Sequence, residues 1–365
     1  MSPSAPEYQR IALEQFSTSP LATLVGMRSS YLANAAAGGE IVAVTDEFFA
    51  ECKNMIQPEP ALSCPGRFTD QGAWMDGWES KRHNPTFDWA IVKLGFAGNI
   101  LGFDIDTSHF TGNQAPAASV EAAFCPEGDA QAKEVEWTQV LPKVDLPPTC
   151  HNYFMLTNPD GKVYTHVRLN NIPDGGIARF RVYGTVQPIW PKDPSEIVDL
   201  AFLGNGGHSV LVSDQHYGSG GNLLLPGRGN NMGDGWETKR SRTPNHNDFV
   251  IVRLGDKGHL LKTEIDTSHF KGNYPASILL EATNSDQEIP VNNEWVTVVS
   301  QRKVGPHEQF YFDLEHSDKV FTHVKVTIFP DGGFKRLRVF GVRDVEGAQL
   351  PKGKVEIKSG KAVVV

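Results

Sequence analysis

Ile105-Asp-Thr-Ser-His-Phe-Thr-Gly-Asn113 occurs a second time as Ile265-Asp-Thr-Ser-His-Phe-Lys-Gly-Asn273, with only Thr111 changed, to Lys271. Three other blocks recur in the same order along the 365-residue chain. They are Met75-Asp-Gly-Trp-Glu-Ser-Lys-Arg82 with Gly233-Asp-Gly-Trp-Glu-Thr-Lys-Arg240, Tyr164-Thr-His-Val167 with Phe321-Thr-His-Val324, and Pro173-Asp-Gly-Gly176 with Pro330-Asp-Gly-Gly333. The chain is therefore an internal duplication, and at roughly 100–200 residues per domain its length predicts two domains of one fold.

Each copy has the pattern of a β protein. Residues 90–94 and 249–254 are β-branched runs, and residues 164–169 and 321–328 alternate in type with a period of two. Each Pro-Asp-Gly-Gly block is a turn, since Pro presets φ and Gly accepts positive φ. Many short strands joined by such turns predict an all-β fold of two tandem jelly-roll β-sandwich domains.

The domain limits follow from the repeats and from proline. Pro188-Ile-Trp-Pro-Lys-Asp-Pro194 disfavours regular structure and indicates a linker. We predict an N-terminal arm with a short helix at 1–20, a first repeat at 21–187, a linker at 188–196, a second repeat at 197–345 and a C-terminal tail at 346–365.

Composition excludes several classes of protein. The formal net charge of −9 argues against nucleic-acid binding, which needs a basic surface, but permits a locally positive pocket for a small anion. No apolar run reaches the ~20 residues of a membrane span, and the first residues lack the order of a signal peptide. The four cysteines, none in a C-x-x-C pair, favour a reducing compartment, and we expect a cytoplasmic protein.

The Asp-Gly-Trp-Glu-x-Lys-Arg block is dense in ionisable groups. Glu79 and Glu237 are candidates for proton transfer, and Arg82 and Arg240 for holding a substrate carboxylate. The alternative is an edge strand with surface ion pairs around a packed tryptophan. The other members of the candidate binding set are Lys81, Lys239, Trp78 and Trp236.

The Asp-Thr-Ser-His-Phe block supplies a second candidate set. Asp106 with His109, and Asp266 with His269, could form an oriented acid–base pair or contribute metal ligands. The alternative is an Asx-type turn in which the aspartate caps backbone amides. The spacing matches no established metal motif, so the metal ligands are unknown; the sequence requires no cofactor and leaves a divalent metal ion open.

These blocks resemble the allantoicase family, over roughly residues 25–342 and with both repeats in family order. The resemblance rests on Trp74–Arg82 in the first copy and on Asn222–Arg240 and Ile265–Pro275 in the second. It implies tandem galactose-binding-like jelly rolls and hydrolysis of allantoate to ureidoglycolate and urea in purine degradation. Asp214-Gln-His-Tyr217 replaces Asp46-Glu-Phe-Phe49, so the two copies need not be equally active.

For that reaction the motifs suggest separate catalytic roles. His109 or His269 would be the acid–base, oriented by Asp106 or Asp266, while Glu79 or Glu237 activates water. The expected partner is allantoate, with neither nucleic acid nor membrane, and the sequence leaves a homo-oligomer open. The competing hypothesis is a non-enzymatic jelly-roll module that binds a small polar or sugar ligand, with the two tryptophans as stacking platforms.

Overall fold

The computed structural model describes residues 6–19, 21, 29–290 and 292–365. The chain divides into two compact units, Met1–Gln187 and Pro188–Val365. Parts of the predicted arm and of the start of the first repeat, residues 1–5, 20 and 22–28, lie outside the described residues. Within the described residues, no helix is long and apolar enough to cross a membrane.

The first unit contains one short α-helix and thirteen strands in its described residues. The strands are β1 (Tyr8–Ile11), β2 (Ser29–Tyr31), β3 (Glu40–Val44), β4 (Phe68–Thr69), β5 (Gly72–Ala73), β6 (Trp78–Glu79), β7 (Asp88–Asp106), β8 (Ala117–Ala123), β9 (Thr138–Asp145), β10 (Tyr153–Leu156), β11 (Tyr164–Ile172), β12 (Gly176–Ile177) and β13 (Arg179–Val186). The helices are α1 (Leu13–Phe16) and the 3-10 turns Ala35–Ala37 and Cys52–Ile56.

The second unit repeats this order without a counterpart of β1, α1, β4 or β5 among its described residues, and it adds two strands at its end. Its strands are β14 (Val198–Asp199), β15 (His208–Val212), β16 (Trp236–Glu237), β17 (Asp248–Asp266), β18 (Ser277–Thr283), β19 (Val296–Lys303), β20 (Gln309–Asp313), β21 (Val320–Phe329), β22 (Gly333–Phe334), β23 (Arg336–Arg343), β24 (Val355–Lys358) and β25 (Lys361–Val364). Its 3-10 turns are Leu203–Asn205, Gly220–Leu224 and Met232–Asp234.

One 19-residue strand organises each unit by belonging to both layers of the sandwich. The first half of β7 pairs with β3 and β11, and β8 and β9 extend that layer. The second half pairs with β10 and β13, which are flanked by β1 and β2. In the second unit β17 does the same, between β15 and β21 and then between β20 and β23. The predicted tandem β-sandwich is confirmed.

The alternation of side chains along β7 separates the core from a polar face. Phe103 and Ile105 are fully buried in the core, so Asp104 and Asp106 point to the opposite face of the same layer. Strand β13 alternates likewise, with Phe180 in the core. The second half of β7 therefore presents acids outside the hydrophobic core.

The described parts of the predicted arm and tail contain regular structure. Strand β1 of the predicted arm pairs antiparallel with β10, and α1 follows it. The predicted tail contains a hairpin in which β24 pairs with β25.

Close packing around the Pro-Asp-Gly-Gly turn predicts a stability effect in the second unit. A Cβ on Gly333 would lie 2.2 Å from the carbonyl oxygen of Trp236 and 2.7 Å from the ring of Phe270. We expect Gly333→Ala to destabilise this unit by about 1–3 kcal/mol, because neither neighbour has room to move. Calorimetric melting would measure the change.

The matched control is Gly272→Ala. A Cβ there meets no atom within 4 Å, so its melting temperature should stay close to that of the wild type. Equal melting of the two variants would contradict the packing argument.

Candidate functional site

The two motif tryptophans are structural in this fold. Trp78 and Trp236 are fully buried. The Nε1 of each donates a 2.8 Å hydrogen bond to a backbone carbonyl, that of Asp46 in the first unit and that of Asp214 in the second. The expectation that these rings contact a ligand is corrected, because neither ring has an exposed face on which a substrate or sugar could stack.

The motif glutamates hold one loop to another. Asn113 Nδ2 donates to Glu79 Oε1 at 3.0 Å, and Asn273 Nδ2 donates to Glu237 Oε1 at 2.6 Å. Burial raises the pKa of Glu79, although Asn113 and the nearby Arg82 oppose the rise. Each glutamate thus ties the short strand β6 or β16 to an asparagine three residues after the Asp-Thr-Ser-His-Phe block.

The motif arginines lie against the Pro-Asp-Gly-Gly turns. Arg82 Nε is 3.2 Å from Asp174 Oδ1, and Arg240 Nη1 is 3.0 Å from Asp331 Oδ1. The lysines beside them are exposed, and the backbone N–H groups of Lys81 and Lys239 donate to the carboxylates of Asp46 and Asp214. These basic residues therefore have loop-bracing partners within the protein.

The histidines of the second block are not oriented by its aspartates. Asp106 and Asp266 accept hydrogen bonds of 2.8 Å from the backbone N–H of Ser108 and Ser268, which is the Asx-type turn. His109 Nε2 lies 3.2 Å from the carbonyl oxygen of Ala61, and the backbone N–H of His269 donates to His307 Nδ1. In the described parts of the chain, no hydrogen bond joins either histidine to its predicted aspartate.

A different charged cluster lies on the outer face of the first unit. Strand register places Asp104 opposite Arg181, and Asp106 opposite Arg179. His151, just before β10, has its Nδ1 2.9 Å from Asp104 Oδ2 and 3.7 Å from Asp106 Oδ2. The aspartates are 1% and 2% exposed, whereas the side chain of His151 is 35% exposed. The structure thus forms a buried carboxylate–imidazole pair with an accessible ring.

The cluster shifts the protonation of both partners. Burial raises the pKa of Asp104, and the hydrogen bond and charge of His151 oppose that rise. The hydrogen bond to Asp104 raises the pKa of His151, against the effect of partial burial. An imidazole held by a buried carboxylate is a common general acid–base arrangement.

The buried arginine of this cluster anchors the loop that crosses it. Arg179 pairs with Asp76 at 2.8 Å and donates to the carbonyl oxygen of Glu59. Arg181 donates to the carbonyl of Pro58, and it is only partly buried. The loop from residue 58 to residue 76 is therefore attached to the acidic strand through β13.

The second unit keeps the charges but not the imidazole. Glu264 lies opposite Arg338 and Asp266 opposite Arg336. In the place of His151 stands Gln309, whose Nε2 donates to Glu264 Oε1 at 2.8 Å. An amide cannot relay a proton as an imidazole does.

The carboxylate of Asp266 also forms an ion pair with an arginine side chain. Arg228 Nε lies 2.9 Å from its Oδ2. Burial alone would raise the pKa of Asp266, but hydrogen bonds from Arg228 and Ser268 outweigh it and lower the pKa. Burial raises the pKa of the neighbouring Glu264. Fully buried Lys335, which pairs with Asp234, takes the position that Ala178 has in the first unit.

The sequence contained a signal for the cluster. Asp-Ile-Asp at 104–106 and Arg-Phe-Arg at 179–181 alternate charge with hydrophobicity, and so do Glu-Ile-Asp at 264–266 and Arg-Leu-Arg at 336–338. Charges at every second position of paired strands must share a face. The sequence prediction included Asp106 and Asp266 but not Asp104, His151, Arg179 or Arg181.

A metal site was left open by the sequence. Within the described residues, no three His, Cys, Asp or Glu side chains are grouped so as to hold an ion. All four cysteines are free thiols.

The Arg179–Asp76 pair predicts a stability effect. Asp76→Asn would leave a buried guanidinium without its counter-charge, and we expect a loss of about 3–5 kcal/mol in denaturant unfolding of the first unit. In the control variant Glu51→Gln, the solvent-exposed pair with Lys53 is removed, which should leave the free energy of unfolding close to that of the wild type. Equal losses would show that the buried pair is not needed.

Comparisons with known proteins agree with this architecture. A family model described as the allantoicase repeat matches residues 30–187 and 198–344. The probable allantoicase of Schizosaccharomyces pombe is 48% identical over 335 residues, covering 91% of this chain and 98% of that protein. The allantoicase of Neurospora crassa is 46% identical over 323 residues, covering 86% and 91%.

A solved structure extends the likeness to three dimensions. The crystal structure of allantoicase from Saccharomyces cerevisiae superposes with a TM-score of 0.74 at 37% identity, over 92% of this chain and 100% of that one. Two matched repeats, near-complete coverage of the relatives and a shared fold lead to one conclusion: the chain belongs to the allantoicase family.

Proposed function

We propose that this chain hydrolyses allantoate to ureidoglycolate and urea, and that the reaction takes place at the His151 cluster of the first unit. Family membership supports the substrate and the reaction. The observation that carries the choice of site is the 2.9 Å contact between His151 and buried Asp104, which Gln309 replaces in the second unit.

The reaction needs two proton transfers. Allantoate carries one carboxylate and two ureido groups on a single carbon. The bond from that carbon to one ureido nitrogen breaks, and the nitrogen takes a proton and leaves in urea. The oxygen of water bonds to the carbon and loses a proton, so that a hydroxyl replaces the departed group. A positioned acid–base contributes roughly 10²–10⁴-fold to such a step.

We assign these transfers to neighbouring groups. His151 is accessible and its pKa is raised, so the imidazolium can donate to the departing nitrogen. Asp106, on the same face, is assigned the proton from water. Arg181 is assigned the substrate carboxylate, since a guanidinium can bind a carboxylate through two hydrogen bonds. Asp104 positions the imidazole and stabilises its charge.

The second unit is proposed to be catalytically silent at this place. Gln309 cannot carry the proton, and Arg228 already neutralises Asp266. Its retained ion pairs would then serve the loops that they fasten. The buried tryptophans remove the feature that suggested a sugar-binding module.

Location and assembly belong to the same proposal. Four free thiols and a net charge of −9 support a reducing, cytoplasmic setting and argue against binding to nucleic acid or to an anionic membrane. A homo-oligomer is proposed, and sedimentation would test it.

The central experiment measures urea released from allantoate. The wild type should release urea, and His151→Gln, which copies the second unit, should lower kcat by roughly 10²–10⁴-fold through loss of the acid. The matched variant Gln309→Ala should keep activity near that of the wild type. Full activity in His151→Gln, with large losses in His109→Gln or His269→Gln, would contradict the proposal. It would show that a predicted motif histidine is the general acid.

The pH profile tests the Asp104–His151 hydrogen bond. A raised pKa keeps His151 protonated to higher pH, so kcat should fall as pH rises through that pKa. Asp104→Asn weakens the hydrogen bond and removes the charge that together raise the pKa of His151, so the alkaline limb should move to lower pH. The matched change in the second unit, Glu264→Gln, should leave the limb in place; an unmoved limb in Asp104→Asn would disprove the coupling.

A further inference from the structure

The N-terminal arm runs beside the proposed acid. The family match begins at residue 30, and the arm precedes it. Strand β1 pairs antiparallel with β10 in a register that sets Ile11 opposite Tyr153 and Arg10 opposite Phe154. The arm is therefore joined to the strand that follows directly after His151.

Aromatic contacts connect the arm to the imidazole. The ring of Phe16, at the end of α1, stacks on Tyr153 with 4.0 Å between centroids and 16° between planes. The Tyr153 ring is parallel to that of His151, with centroids 5.5 Å apart. Ile11, Leu21, Tyr183 and Met155 complete a small apolar cluster around Tyr153. The orientation of His151 thus depends on a ring that is packed in part by Ile11 and Phe16 of the arm.

Arg10 attaches the arm to Asn152, the residue just before Tyr153. Its Nη1 donates to Asn152 Oδ1 at 2.8 Å, and its Nη2 donates to the carbonyl oxygen of Asp145. Asn152 in turn donates to the carbonyl of Ile105 at 2.9 Å, on the strand that carries the two aspartates. Residues 152 and 153 are therefore both held from the arm side.

The second unit shows the same position without an arm. Tyr311 pairs in register with Glu264, as Tyr153 does with Asp104. Tyr311 is 41% exposed, whereas Tyr153 is 6% exposed. The arm contributes to this difference, because Ile11 and Phe16 pack on Tyr153 together with Leu21 and Tyr183.

We propose that the arm is a working part of the site and that Phe16 is a positioning residue, which holds the imidazole of His151 against Asp104 through the ring of Tyr153. The inference rests on the proposed catalytic role of His151. It adds a segment outside the matched repeats to the machinery of the first unit, and the described residues of the second unit contain no counterpart of this segment.

The charges around His151 make the test specific. Asp104 and Asp106 face it from β7 and Arg181 from β13, while Arg10 lies on the arm beside Asn152. Phe16→Ala changes none of these charges. A shift in the titration of His151 in this variant therefore reports a loosened hydrogen bond to Asp104 rather than a lost charge.

The experiment titrates His151 by NMR in the full-length protein with labelled histidine, with His151→Gln to assign the signal. In Phe16→Ala the pKa of His151 should fall towards its ordinary value, and kcat for urea release should fall on the order of 10-fold or more, since small displacements of a catalytic group are costly. Phe16→Tyr, which keeps the ring, should restore both. Leu13→Ala, on the same helix but 59% exposed, should change neither.

The two proposals fail in different ways. An unshifted His151 titration in Phe16→Ala, in a sample that melts like the wild type, would overturn the role of the arm whatever the activity. A shifted titration in a protein whose wild type releases no urea would support the arm's contact with His151 and refute the proposed function instead.

Discussion

The alternation of side chains along one long strand is the constraint on which both units depend. Because β7 and β17 pass through both layers, their odd-numbered residues near the end fill the core and their acidic neighbours must lie outside it. Those acids are nearly inaccessible to solvent, and removing a carboxylate from water costs several kcal/mol unless a counter-charge is in place. The register with β13 and β23 supplies an arginine opposite each acid. The fold and the chemistry of this face therefore follow from one pattern of residues.

The duplication, the β class and the sandwich could be predicted because they depend on repetition and on period-two patterns, which the sequence displays directly. The motif residues were harder to interpret. Trp78 and Glu79 recur in both copies, and recurrence alone does not separate a catalytic group from a loop brace. The structure supplies the partners that the sequence could not, since Trp78 donates to a backbone carbonyl and Glu79 accepts from Asn113.

His151 was not predicted from the sequence, for a different physical reason. It lies in no repeated motif, and its partner Asp104 is 47 residues away in the chain, joined to it only through strand pairing. The contribution of the arm was equally hidden, because a stack between Phe16 and Tyr153 depends on an antiparallel register that composition does not encode. Long-range register of this kind is set by tertiary packing rather than by local propensity.

Comparison of the units separates structural charges from chemical ones. Buried arginines opposite acids occur in both, and in both the first arginine reaches an aspartate of the motif loop, Asp76 in one unit and Asp234 in the other. These facing acids and arginines are retained in the second unit, where Gln309 has replaced the imidazole. Their shared role in the two units is therefore to attach the loop to the sheet. His151 and the arm are what the first unit adds to them. The facing acids and arginines would then orient Asp104 at no further cost in desolvation, because the fold already requires these buried charges. Catalysis would need only the addition of an imidazole and of the N-terminal arm that packs beside it.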